Sequence, residues 1–94
     1  KYTGSGGKYS SNDADAEFVH EIRTLLNKNN ITWQIGMLGK VDEGGGGTVA
    51  KYLANFGIRT IDVGPALLAM HSPFELASKF DIYETYISYK VFYK

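Results

Sequence analysis

The sequence predicts an α/β fold in a three-layer arrangement. Segments with strand-like and helix-like patterns alternate along the chain in the order β, α, β, α, β, α, α. Hydrophobic residues make up 44% of the 94 residues, a composition typical of a globular rather than a disordered chain. A chain of this length forms at most one small domain with a modest core.

The chain is predicted to open with the tail of a strand at residues 1–3 and a glycine- and serine-rich loop at residues 4–11. We expect Asn12 or Asp13 to cap the first helix, because the turn that follows is acidic. Apolar side chains then recur at the spacing of one buried helix face: Ala14, Phe18, Ile22, Leu25 and Leu26. The pair Asn29-Asn30 is expected to end the helix, since Asn tolerates the left-handed conformation.

Residues 31–38 alternate apolar with polar or small side chains and are predicted to form a strand. Four consecutive glycines, Gly44 to Gly47, come next. Their high backbone entropy indicates that the fold needs close backbone approach or positive φ there. A second helix is predicted to start at Thr48 and to stop at Gly57. Its buried stripe is expected to consist of Val49, Tyr52, Leu53 and Phe56.

A short buried strand at residues 60–63 is predicted next, followed by a loop. Ser72 and Glu75 have the spacing of a capping box, and Pro73 would occupy the first helical position, where its missing N–H has no consequence. We therefore expect a third helix to begin at Pro73.

Asp81 and Glu84 resemble a second capping signal, which favours a break and a final helix. This helix would run through Ile82, Tyr86, Tyr89 and Tyr93. The same side chains also favour a strand. The capping signal tips the prediction to a helix.

The charge balance excludes several classes of partner. Lys plus Arg and Asp plus Glu both number ten, so the chain has no long-range attraction for nucleic acid or an anionic membrane. No apolar run approaches the roughly 20 residues of a membrane span, and no signal-peptide pattern is present. The absence of cysteine fits a reducing cytoplasmic location. Because the first residue is Lys1 rather than Met, we expect a piece of a larger protein.

His71 is the first candidate for chemistry. Neutral imidazole is the commonest metal ligand, and this one precedes a predicted helix start that would fix its direction. An ordinary hydrogen-bonded loop histidine is the alternative, and a catalytic zinc needs about three protein ligands. His20, two residues after Phe18, is expected on the solvated face of the first helix.

The glycine run before Thr48 is the second candidate, since unpaired N–H groups at a helix start attract an anion or a peptide carbonyl oxygen. It lacks the Gly-Lys-Ser/Thr of a P-loop and the context of a dinucleotide fingerprint. A tight loop that allows close packing explains the run equally well. Asp42, the third candidate, is also a common turn former. The residues alone provide one metal-capable histidine, one glycine cradle and too few ligands.

Three motifs carry a resemblance to a known family. They are Val41-Asp42-x-Gly-Gly-Gly-Gly-Thr48, Asp62-Val63-Gly64 and Leu68-Ala69-Met70-His71-Ser72. The chain resembles, over nearly its whole length, the carboxyl-terminal part of the aspartyl aminopeptidase and aminopeptidase I family of dinuclear zinc exopeptidases. Lys1-Tyr2 and residues 8–12 match the family's segment ahead of the first helix.

The resemblance implies that His71 is a terminal ligand to one of two zinc ions. It also implies that Lys1 and Tyr9 lie near the pocket for the substrate's first side chain. Asp42, Gly47 and Thr48 would lie beside bound peptide. The bridging Asp, the general-base Glu and the remaining ligands of the family belong to segments upstream of Lys1, so no catalytic residue is expected here.

At the level of the whole protein, the resemblance implies that residues 1–94 are the carboxyl-terminal segment of a single catalytic α/β domain of the zinc-peptidase type. It also implies a peptide substrate with an acidic or neutral first residue, and a homo-oligomer, specifically a tetrahedral dodecamer. The competing interpretation is a small non-catalytic α/β binding module whose glycine loop holds an anion. A third possibility is that the Tyr-rich stretch from Ile82 to Tyr93 is an assembly surface.

Overall fold

A computed structural model describes residues 15–36 and 48–94, the side chain of Lys51 excepted. The described residues within Lys1–Arg23 and Gln34–Asp62 form one compact unit, and those within Thr24–Trp33 and Val63–Lys94 form a second. The elements are α1 (Ala16–Lys28), α2 (Ala50–Ala54), β1 (Leu67–Leu68), β2 (Leu76–Ala77) and α3 (Lys79–Phe92). Within the described part of the chain, helices are thus combined with a two-stranded sheet, in agreement with the α/β class. The predicted strand tail at residues 1–3 and the glycine run lie outside it.

Helix α1 begins later than predicted. The Asp15 carboxylate accepts the backbone N–H groups of Glu17 at 2.9 Å and Phe18 at 3.5 Å, so Asp15 is the capping residue. The predicted cap at Asn12 or Asp13 is therefore wrong. Asp15, which was expected within the acidic first turn, instead supplies the first hydrogen bonds of the helix.

The carboxyl end of α1 confirms the prediction for Asn29-Asn30. Asn30 has φ +54°, its N–H donates to the Asn27 carbonyl at 3.1 Å, and the Ile31 N–H donates to the Leu26 carbonyl at 3.0 Å. This pair of bonds is a Schellman motif, and Leu26 and Ile31 provide its apolar contact positions. Both side chains are buried, with 7% and 5% exposure respectively.

Helix α2 is shorter than predicted, but its limits follow the expected residues. The Thr48 hydroxyl accepts the Ala50 N–H at 3.2 Å. At the other end Gly57, with φ +76°, forms a second Schellman motif, in which the Ile58 N–H donates to the Leu53 carbonyl at 3.3 Å.

The predicted buried stripe of α2 is wrong. Ala50 is the buried residue of this helix, whereas all four side chains expected inside are exposed: Val49, Tyr52, Leu53 and Phe56. A helix of five residues buries an apolar stripe only where another apolar surface covers it, and none of the described residues does so here.

Neither predicted strand forms at residues 31–36 or 60–63. A strand needs a hydrogen-bonded neighbour, and side chains of α3 satisfy backbone groups in these regions instead. The Thr32 N–H donates to the Glu84 carboxylate at 2.9 Å, and the Tyr89 hydroxyl donates to the Val63 carbonyl at 3.1 Å.

The helix predicted at Pro73 is also absent, because a hairpin occupies this region. β1 and β2 are antiparallel, with Leu67 opposite Ala77 and Leu68 opposite Leu76. The predicted final helix is confirmed as α3, but Ser78 rather than Asp81 occupies its N-cap position. None of the helices in the described ranges is long and apolar enough to cross a membrane.

Candidate functional site

His71 lies in the turn that joins β1 to β2, and its side chain is exposed. Its backbone has φ +69°, and Ala69, two residues earlier, has φ +57°. Residues with a Cβ seldom adopt this left-handed region, so surrounding interactions must hold the turn.

Four hydrogen bonds hold it, one of them from the Phe74 N–H to the Ser72 hydroxyl at 3.3 Å. The Glu75 carboxylate accepts the backbone N–H of His71 at 2.5 Å. The Ser72 hydroxyl donates to the Phe74 carbonyl at 2.7 Å, and the Ser72 N–H donates to the Ala69 carbonyl at 3.0 Å. The backbone around the imidazole is therefore closed into a defined turn.

The capping box predicted from Ser72 and Glu75 is wrong, although both side chains bind backbone groups as such residues do. In a capping box the Glu side chain reaches back to the N–H of the Ser itself. Here Glu75 binds the N–H of His71, one residue earlier, and Ser72 bonds within its own turn. The same residue types therefore close a hairpin turn instead of starting a helix.

The exposed imidazole of His71 can supply one nitrogen to a metal ion. In the two described ranges, no group of three or more His, Cys, Asp or Glu side chains is arranged to hold a metal. A zinc site normally has three or four protein ligands, so this turn fits zinc as one ligand of a site completed by other donors. His20 is exposed on α1, as predicted.

Thr48 is linked to Asp62. Its hydroxyl donates to Oδ1 of Asp62 at 2.7 Å while it accepts the Ala50 N–H at 3.2 Å. Asp62 therefore reaches Thr48, which precedes α2. Thr48 lies in one of the three motifs that resemble the family and Asp62 lies in another. Their membership of these motifs was the sequence signal that pointed to the pair.

The remaining predicted site residues lie outside the described ranges: Lys1, Tyr9, Asp42 and Gly47. Of the two that are described, Thr48 belongs to one compact unit and His71 to the other. The structure therefore gives the local setting of these two residues separately.

Residues 2–93 match the family described as Aminopeptidase I zinc metalloprotease (M18). The chain belongs to the M18 aminopeptidase family. A probable M18 family aminopeptidase 1 from Borrelia garinii subsp. bavariensis is 68% identical over 94 residues, covering all of this chain and 20% of that protein. The Thermotoga maritima protein of the same name is 60% identical over 90 residues, covering 96% of this chain and 20% of that protein. The resemblance inferred from the sequence motifs is confirmed.

Two crystal structures of M18 enzymes are similar in fold. An M18-family aminopeptidase from Thermotoga maritima has a TM-score of 0.85 at 59% identity and covers 97% of this chain and 20% of its own. Aminopeptidase I from Clostridium acetobutylicum has a TM-score of 0.85 at 53% identity. Its alignment covers 100% of this chain and 21% of the aminopeptidase I chain. This chain therefore spans about one fifth of the length of the M18 relatives that it matches.

Proposed function

We propose that residues 1–94 are the carboxyl-terminal segment of the catalytic domain of a zinc aminopeptidase. The whole enzyme removes acidic or neutral residues from the amino terminus of peptides. Membership of the M18 family and the one-fifth coverage of relatives named aminopeptidases support this proposal. The enzyme is further proposed to be cytoplasmic and to assemble as a homo-oligomer, a dodecamer in the pattern that the resemblance implies.

His71 is proposed as a terminal ligand to one of two zinc ions. The observation that carries this assignment is an exposed imidazole on a turn whose backbone is closed by the Glu75 carboxylate. When bound, zinc polarises a scissile carbonyl and lowers the pKa of a bound water. The chain's own contribution is to hold the imidazole in a fixed direction, while the other ligands come from outside this segment.

Thr48, with Lys1, Tyr9, Asp42 and Gly47, is proposed to lie near the bound peptide. The Thr48 hydroxyl donates its proton to Asp62, so this side chain does not donate to peptide in the same arrangement. Its contribution is to fix the backbone where the glycine run meets α2.

The test uses full-length enzyme containing this segment, with His71→Gly compared to His20→Gly. Glycine accepts φ +69° without strain, so the His71 variant loses the imidazole and little else. Zinc retention is measured by chelator competition and metal analysis, and turnover with aminoacyl substrates. We expect His71→Gly to weaken retention of one zinc by at least about 100-fold and to abolish most turnover.

His20→Gly is expected to change neither zinc retention nor turnover, since His20 is exposed on α1. If His71→Gly keeps both zinc ions and normal turnover, the assignment is wrong and the non-catalytic binding module gains support. The isolated 94 residues are expected to hydrolyse no substrate, because they provide a single metal ligand.

A further inference from the structure

Glu75 has a role that neither capping nor metal ligation explains. Its carboxylate accepts the backbone N–H of His71 at 2.5 Å, four residues away. The imidazole of His71 takes no part in this contact. Glu75 therefore acts on the main chain of the residue that carries the exposed imidazole.

That main chain needs support. His71 has φ +69°, a conformation that L-residues rarely adopt because the Cβ approaches the following carbonyl oxygen. A hydrogen bond from an N–H to an ionised carboxylate is about twice as strong as a neutral one. Glu75 thus stabilises the left-handed conformation, and this conformation sets the direction in which the imidazole leaves the turn.

We infer that Glu75 is a positioning residue for His71, which it holds in the orientation required to bind zinc. The inference rests on the proposed function, in which His71 is a zinc ligand. Groups that orient a metal ligand typically change metal affinity by 10- to 100-fold when they are removed. Most of them act on the second ring nitrogen of the histidine, whereas Glu75 acts through the backbone.

The test compares three variants of the full-length enzyme by zinc retention under chelator competition. Glu75→Ala removes the acceptor and is expected to weaken retention of one zinc by about tenfold. Glu75→Gln keeps an acceptor oxygen at the same reach but loses the charge, so it is expected to recover about half of that loss. The control, Ser72→Ala, removes both bonds between the Ser72 hydroxyl and Phe74 but keeps the Glu75 bond to the His71 N–H, so its loss of zinc retention is expected to be much smaller than that of Glu75→Ala.

The thermal unfolding midpoint of each zinc-free variant separates a positioning role from a merely structural one. If Glu75→Ala lowers this midpoint but retains zinc as wild type does, the inference is overturned. It is also overturned if Glu75→Gln loses as much affinity as Glu75→Ala. Should Glu75→Ala fail to fold, Glu75→Asp, whose shorter side chain reaches less far, replaces it. Unchanged zinc retention in Glu75→Asp then counts against the inference.

His71→Gly, measured in the same series, separates the zinc-ligand role of His71 from the positioning role of Glu75. If His71→Gly leaves zinc retention unchanged, the proposed function fails. If His71→Gly loses zinc and Glu75→Ala does not, only the role of Glu75 fails.

Discussion

The hydroxyl of Thr48 donates a 2.7 Å hydrogen bond to Oδ1 of Asp62, fourteen residues further along the chain. The same hydroxyl accepts the Ala50 N–H, so one oxygen both starts α2 and ties that start to a distant segment. The pair brings together two of the motifs by which the M18 family was recognised. The contribution of this hydrogen bond to stability can be measured, because Thr48 and Asp62 can be substituted separately.

Thr48→Val removes both hydrogen bonds while keeping a β-branched shape. We expect it to lower the free energy of opening of α2 by about 1 kcal/mol, the usual effect of losing a capping side chain. Thr48→Ser, which keeps the hydroxyl, is the control and should change little. Amide exchange at Tyr52 and Leu53, whose N–H groups donate to the Val49 carbonyl, reports this opening.

A double-mutant cycle with Asp62→Ala isolates the pair. If the bond is real in solution, the double variant should be less destabilised than the sum of the single variants. Strict additivity of Thr48→Val and Asp62→Ala would show that the two side chains do not interact.

Ile31 is expected to contribute far more to stability than Ile35. Ile31 is 5% exposed beside Leu26, whereas Ile35 is 43% exposed. Ile31→Ala removes buried methyl groups and should destabilise the chain by about 2–4 kcal/mol. Ile35→Ala is the matched control and should have an effect below about 1 kcal/mol.

Amide hydrogen exchange in the full-length enzyme, read at the residues around each isoleucine, measures both variants. The Trp33 indole N–H donates to the Asn27 side chain at 2.8 Å, in the same compact unit as Ile31, so the exchange of this indole N–H reports on that unit. Equal effects of the two substitutions would contradict the assigned burial.

The carboxyl ends of α1 and α2 were predictable because each depends on a single residue. Asn30 and Gly57 both adopt positive φ where the sequence placed a helix stop, since few other residue types accept that conformation. The start of α1 was misplaced because three residues of capping type, Asn12, Asp13 and Asp15, lie within four positions, and only the geometry selects Asp15.

The strands were not predictable by the same reasoning. An alternating pattern identifies a segment that fits a sheet, but pairing depends on residues that are distant in sequence. In residues 31–36, the N–H of Thr32 binds Glu84, a partner 52 residues away that no local pattern indicates.

The site role of the candidate residues stays a prediction, and the local contacts of the two described ones, Thr48 and His71, could not be inferred from the sequence. His71 was predicted as a metal ligand because a metal-capable histidine precedes a helix-start signal. The signal itself, Ser72 with Glu75, was assigned to a helix because both structures satisfy backbone donors with the same side-chain chemistry.

Gly57 provides a test of backbone conformation alone. An added Cβ at Gly57 would meet nothing within 4 Å, so its φ of +76° is the main obstacle to substitution. Gly57→Ala should lower the free energy of unfolding by about 1 kcal/mol, and Gly57→Asn by less, since Asn tolerates the left-handed region. Gly64→Ala is the control, because that site is also open and lacks a positive φ. Urea titration of the chain measures all three, and an equal loss at both glycines would contradict this explanation.

Asp15 is expected to make the stability of the chain depend on pH in the acid range. A hydrogen bond with the Glu17 side chain is the largest cause of the lowered pKa of Asp15. The backbone N–H groups of Glu17 and Phe18 and the charge of Arg59, whose Nε lies 2.9 Å from the carboxylate, lower it further, against an opposing effect of desolvation. A carboxyl whose pKa is lower in the folded state stabilises that state above its ordinary pKa. The stabilisation is lost as the pH falls through the lowered value.

Asp15→Asn keeps a side-chain oxygen that can cap α1 and removes only the charge. We therefore expect the variant to be less stable than wild type above the ordinary pKa of an aspartate, and the difference to shrink to nothing as the pH falls through the lowered pKa of Asp15. Thermal unfolding midpoints of both proteins across this range measure the effect. Asp15→Ala, which removes the cap as well, should remain less stable than wild type even in acid. A wild-type advantage over Asp15→Asn that stayed constant at every pH would show that the carboxylate charge contributes nothing specific to the folded state.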